Sequence, residues 1–243
     1  MRLEFTYDPN DYSVADSNRY VTDDDAFEVD DEYLLIGRTY EEYAAMFGVD
    51  ELSGRVLDCG SGVSSFVVEA RERGIDAIGV DPTYTDSRGT LATDARRARR
   101  DNVAQLSEKR DRYVWSFYGG LDERGDYLER ASERFLDNFP DGPYVAAGLP
   151  ELPFRDDTFD LAVSGNLLFL YDDRLDLEFH VAAVQELARV ADEVRVFPLA
   201  SLDRTQSQYV EPCLEKLRAA GHTPELRDVS YEFQPGATTV LVI

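Results

Sequence analysis

Lysine is almost missing from this chain. Only Lys109 and Lys216 stand among twenty-five basic residues, against forty-nine acids, for a net charge of −24. A charge so large and one-signed repels nucleic acid and anionic membranes, and it keeps a protein soluble where salt screens self-repulsion. The expectation is a salt-adapted, halophilic and cytoplasmic origin. Long apolar runs are missing too: no stretch of about 18 apolar residues exists to span a bilayer, and the opening MRLEFTYDPNDY lacks the charged-then-apolar build of a signal peptide. Two cysteines, Cys59 and Cys213, make neither a disulfide framework nor a metal spacing. The two histidines, His180 and His222, have no ligand spacing around them, so no metal site is expected.

What is present centres on Val56-Leu57-Asp58-Cys59-Gly60-Ser61-Gly62-Val63-Ser64-Ser65-Phe66. An apolar run stops at an acid and two glycines, and a helical pattern follows over 63–73. This predicts a strand, a tight turn and a helix start, the glycines letting the backbone turn sharply and a ligand lie against it. The next strand ends at Asp81, 19 residues after Gly62. In an open α/β sheet both strand ends lie on the ligand-binding rim, and an acid at this offset can accept hydrogen bonds from both hydroxyls of a ribose. Two nucleoside cofactors meet that description. A nicotinamide dinucleotide calls for a third glycine, where this chain has Ser65, and Asp58 puts the wrong sign beside its pyrophosphate. S-adenosylmethionine has no phosphate and carries an ammonium and a sulfonium, so an acid beside the turn is favourable.

On these residues the chain resembles the class I S-adenosylmethionine-dependent methyltransferases, whose first motif reads acidic-x-Gly-x-Gly and whose second is an acid ending the second strand. Leu152-Pro153-Phe154-Arg155-Asp156-Asp157-Thr158-Phe159-Asp160-Leu161-Ala162-Val163-Ser164 is similar to the family's approach to its fourth strand. The resemblance implies a cofactor site of Asp58, Gly60, Gly62, Asp81, Gly148, Leu149 and Asn166. Gly148 falls where members often carry an acid for the adenine amino group, which leaves backbone groups of Gly148 and Leu149 to frame the adenine. Asn166 sits at the mouth of the methyl-transfer site, but Asn166-Leu167-Leu168-Phe169 is not the Asn-Pro-Pro-aromatic clamp of some amine methyltransferases. Candidates on the acceptor side are Asn166, Tyr171, Trp115, Tyr118 and Asp172, with no evident general base. The resemblance implies methyl transfer, and the charge of −24, which opposes a polyanion, points to a small-molecule acceptor with no nucleic acid or membrane partner. The alternative is a non-catalytic cofactor-binding or partner-supporting protein.

The chain as a whole reads as one α/β domain over 1–243, a Rossmann-like seven-stranded, mostly parallel sheet ending in an antiparallel hairpin around Gln234-Pro235-Gly236. Residues 1–54 form an acidic arm and a covering helix over 31–47, from which Arg38 or Tyr40 would reach the methionine end of the cofactor. Residues 84–143 form a helical lid insertion with a near-neutral balance of eleven basic and twelve acidic residues. Its Arg96, Arg97, Arg99 and Arg100 are expected either to fasten the acidic N-terminal segment or to draw in an anionic acceptor.

Overall fold

A computed structural model describes residues 27–29, 33–49 and 52–243. The expected N-terminal arm lies outside those residues apart from 27–29. The core is a seven-stranded sheet built from β1 (Arg55–Cys59), β2 (Asp76–Val80), β3 (Tyr144–Val145), β4 (Phe159–Gly165), β5 (Ala191–Phe197), β6 (Glu225–Asp228) and β7 (Thr239–Val242), in the spatial order β3-β2-β1-β4-β5-β7-β6. Strands β1 to β5 pair in parallel, and β7 slots antiparallel between β5 and β6. This is the expected class of sheet. Because β1 is central, its Val56 and Leu57 are both fully buried although they point to opposite faces, as strands covered on both sides require.

One face is covered by α5 (Leu177–Val190) and α6 (Val210–Ala219), which contribute Ala183, Val184, Leu187, Cys213, Leu214 and Leu217 to the core. The other is covered by α1 (Tyr40–Phe47) and α2 (Phe66–Glu72), through Tyr43, Met46, Phe47, Phe66, Val67 and Ala70. The covering helix is shorter than the 31–47 expected. It starts at a capping box in which Thr39 and Glu42 satisfy each other's backbone amides. The helix after the glycine turn likewise begins at Phe66 rather than at residue 63, because Val63 to Ser65 complete the turn.

The insertion carries α3 (Arg88–Glu108) and α4 (Leu121–Asn138). Tyr113 and Phe117 lie in the link between these two helices, packed by their rings against Phe233 and Tyr231. Leu91, Ala95, Phe135 and Phe139 bind the insertion to Val63 and Tyr84, and Arg134 grips Glu72 of α2 with both carboxylate oxygens at 2.6 Å. The C-terminal hairpin also differs from expectation. Strand β6 stops at Asp228 and the connection runs over 229–238, because Tyr231 and Phe233 turn out of the sheet to meet the insertion.

A candidate ligand cavity at the strand ends

The strand ends and the glycine turn open on a cavity of about 460 Å³, within the range of about 300–1,000 Å³ usual for small-molecule sites. Its floor is the turn after β1. Gly60 and Ser61 both donate their amides to the carbonyl of Val80, at 2.9 and 3.1 Å, which ties the ends of β1 and β2 together. Gly60 holds φ at +77°, and a Cβ there would come within 2.8 Å of Leu167, so the position needs glycine on both counts. Asp81 ends β2 and lines the cavity. Its Oδ2 accepts from the Gly62 amide at 2.9 Å and its Oδ1 from the amide and hydroxyl of Thr83 at 2.9 and 2.6 Å. A carboxylate fixed on two sides in this way is oriented before any ligand arrives, with lone pairs remaining.

Gly148, Leu149 and Asn166 also line the cavity, on the sides supplied by the segments after β3 and β4. A Cβ on Gly148 would meet Pro82 at 2.7 Å, so the wall is closed by backbone there. Asn166 adopts φ of +57°, donates its amide to the Phe197 carbonyl at 2.8 Å, and points its side-chain nitrogen toward the Met46 sulfur. Tyr171 is in the lining too, its hydroxyl accepting from the Leu34 amide at 3.0 Å.

Asp58 does not line the cavity. It is fully buried beneath the turn, where its carboxylate accepts from Tyr43 at 2.9 Å and from Ser61 at 2.6 Å. Burial pushes this carboxyl up to about 7, against the two hydrogen bonds, which favour the charged form. Asp58 therefore braces Ser61 and Tyr43, both of which do face the cavity.

The start of α2 is not open to a ligand. The Ser65 amide donates to the Arg38 carbonyl at 3.0 Å, the Phe66 amide to the Ser64 hydroxyl at 3.2 Å, and the Ser64 amide to the Ser61 carbonyl at 3.1 Å. Gly37 lies so close over the turn that a Cβ would overlap the Val63 carbonyl. The amides of Gly62, Ser64, Ser65 and Phe66 are thus all occupied within the chain, which leaves fewer donors for the pyrophosphate of a dinucleotide than such a terminus usually offers.

Among the remaining acceptor-side candidates, Tyr118 lies behind the cavity wall, donating to Glu42 at 2.6 Å and touching the Tyr231 hydroxyl at 2.7 Å. Trp115 donates its indole N–H to the Arg110 carbonyl, and neither it nor Asp172 lines the cavity. Arg38 does line it, whereas Tyr40 stacks between Phe66 and Arg73. His180 is buried with both ring nitrogens engaged, by the Phe169 amide and the Asp176 carbonyl, and burial lowers its pKa. The expected arginine cluster of the insertion faces solvent. Arg97 pairs with Asp94, Arg99 with Glu129 and Arg100 with Asp101, and none of these arginines, nor Arg96, lines the cavity. The acidic segment they were expected to fasten lies largely outside the described residues.

Among the lining residues that the sequence does not single out are Asn102 and Arg124. A signal existed: Asn102 interrupts the stripe Leu91, Ala95, Ala98, Asn102, Leu106 of its helix, and Arg124 opens the stripe Arg124, Leu128, Ala131, Phe135 of the next.

No family model matches the chain. An uncharacterized protein of Methanocaldococcus jannaschii, MJ0045, is 29% identical over 220 residues, covering 86% of this chain and 95% of that one. Among solved structures, the PH0226 protein of Pyrococcus horikoshii is 14% identical with a TM-score of 0.46, covering 84% of this chain and 89% of its own. The 1,6-didemethyltoxoflavin-N1-methyltransferase of Burkholderia thailandensis, solved with bound 1,6-didemethyltoxoflavin and S-adenosylhomocysteine, is 18% identical with a TM-score of 0.40 over 83% and 74% of the two chains. A TehB-like S-adenosylmethionine-dependent methyltransferase of Corynebacterium glutamicum is 15% identical with a TM-score of 0.42 over 84% and 86%. At these values the likenesses assign no activity, and the chemistry rests on the residues of the cavity.

Proposed function

We propose that this chain binds S-adenosylmethionine in the half of the cavity next to the glycine turn and transfers its methyl group to a small molecule held in the other half. The observation that carries the reading is Asp81, a carboxylate at the end of β2 that faces the cavity and is oriented by Gly62 and Thr83. It would accept the hydroxyls of the ribose, while the backbone of Gly148 and Leu149 would flank the adenine and Asn166 would border the reacting methyl. The bound cofactor supplies an electrophilic methyl group on a sulfonium. The chain's own part is to hold acceptor and cofactor in line and to exclude water, which accounts for much of the acceleration of such a displacement. The occupied amides at the start of α2 support this cofactor over a dinucleotide. We also read the acid excess as an adaptation to concentrated salt inside a cytoplasm, and as opposing a polyanionic acceptor.

Calorimetric titration with S-adenosylhomocysteine tests the cofactor. Hydrogen bonds to a charged acceptor are worth about 1.5–3 kcal/mol each, so Asp81→Ala should weaken binding about a hundredfold or more. The variant's melting temperature should show that it is still folded. A change below about threefold would sink the assignment of Asp81, and a thermal shift with NAD in place of S-adenosylhomocysteine would sink the choice of cofactor.

A further inference from the structure

The half of the cavity away from the glycine turn is walled by rings and aliphatic groups from four separate segments: Phe27, Leu34, Leu106, Tyr113, Leu202 and Phe233. Into this wall the insertion sets one cation. Arg124 is only 2% exposed. Its Nη1 donates to Asn102 Oδ1 at 2.6 Å, and its guanidinium carbon lies 4.5 Å from the centre of the Phe233 ring and 5.6 Å from that of Tyr118. Its Nε is buried and, among the described residues, has no hydrogen-bond partner, nor does any carboxylate there form an ion pair with the guanidinium. Burial, and then the like charge of Arg38, hold it below the usual arginine range.

The nearby acid does not repair this. Glu42 is buried behind the wall, with Oε2 taken by the amide and hydroxyl of Thr39 and Oε1 by Tyr118. Arg38, at 3.5 Å, already forms its ion pair. One carboxylate thus stands near two guanidinium groups and pairs with only one of them. A buried charge without its partner is destabilising, and arginine left in that state beside an open cavity is arranged for an anion that comes from outside. With Nη1 turned to Asn102, the edge left over is the one formed by Nε and Nη2. Of these two atoms Nε is shut off from solvent, so a carboxylate entering from the cavity meets the guanidinium at Nη2 through a charge-assisted hydrogen bond.

We propose that the methyl acceptor is an aromatic or apolar body bearing one carboxylate, which the guanidinium of Arg124 receives while Asn102 holds it from the other side. The proposal rests on the methyltransferase reading and names its acceptor class. A phosphate ester would bring up to two charges into the same wall of rings, so the monoanion is favoured.

The full chain, saturated with S-adenosylhomocysteine, is titrated with phenylacetate, phenylacetamide and phenyl phosphate. Phenylacetate should bind at least tenfold more tightly than either of the others. Arg124→Met should abolish that preference with the affinity for S-adenosylhomocysteine unchanged, and Arg124→Lys should restore it only in part, since an ammonium lacks the fork. Equal binding of phenylacetate and its amide by the unaltered protein, or binding of neither, overturns the proposal, and this comparison stands even if Arg124→Met does not fold. Tighter binding of phenyl phosphate overturns it as well, and so does a preference that survives in Arg124→Met. If the unaltered protein does not bind S-adenosylhomocysteine, the methyltransferase reading fails instead, and the same three titrations on the unloaded chain still decide the carboxylate preference.

Discussion

Asp58 shows how one residue can serve a site without touching its ligand. Its carboxylate rises from an ordinary value of 3.8 to about 7 because burial penalises the charge more than Ser61 and Tyr43 can offset. Between those two values the folded chain holds a proton that the unfolded chain has released. Stability contributed by this group is therefore complete below the lower value and is lost as pH rises toward 7. Thermal unfolding of the native chain and of Asp58→Asn, measured from pH 4 to 8, should differ in slope, with the native melting temperature falling more steeply as pH rises. Parallel profiles would mean that the carboxyl titrates as it does in the unfolded chain. The role of Asp58 was only half legible: its place beside the glycines was evident from the sequence, but a cavity-facing position was expected where the fold buries it under Ser61.

At the scale of the element, α1 is an eight-residue helix whose existence depends on its first turn. Isolated helices of that length are marginal, so the Thr39–Glu42 capping box and the burial of Tyr43, Met46 and Phe47 must hold it. Loss of a cap costs about 0.5–2 kcal/mol. Thr39→Ala should fall toward the upper end, because it also strips a donor from the fully buried Glu42. A drop of about 2–4 °C per kcal/mol in the melting temperature is expected for a chain of this size, with Thr39→Ser close to the native value. An unchanged melting temperature for Thr39→Ala would show that packing alone holds α1. Elements with an unbroken apolar pattern, such as β4 and α5, were legible in the sequence. The end of β6 at Asp228 was not, since Tyr231 and Phe233 have the composition of a strand but pack against the insertion, and composition does not say which neighbour an aromatic ring will find. Asn102 and Arg124 were passed over for a related reason: a polar residue on an apolar stripe becomes informative only when the two helices are seen to bring them together.

For the whole molecule, the acid excess makes stability depend on the solvent. Lowering salt from 1 M to 0.1 M lengthens the screening distance from about 3 Å to about 10 Å, which lets the surplus negative charge repel itself across the surface. The melting temperature should fall markedly over that range, and a flat response would mean that the charge has another cause. The sheet also bears on how the molecule could diverge. The insertion leaves from the end of β2 and returns into β3, and these two strands are neighbours that pair directly, Gly79 with Tyr144 and Val80 with Val145. Any crossover that spans two adjacent parallel strands satisfies that register, whether it is short or about sixty residues long. The segment that supplies Asn102, Leu106, Tyr113 and Arg124 is in this sense a cassette: its length and residues are free of the strand register that fixes the glycine turn and Asp81.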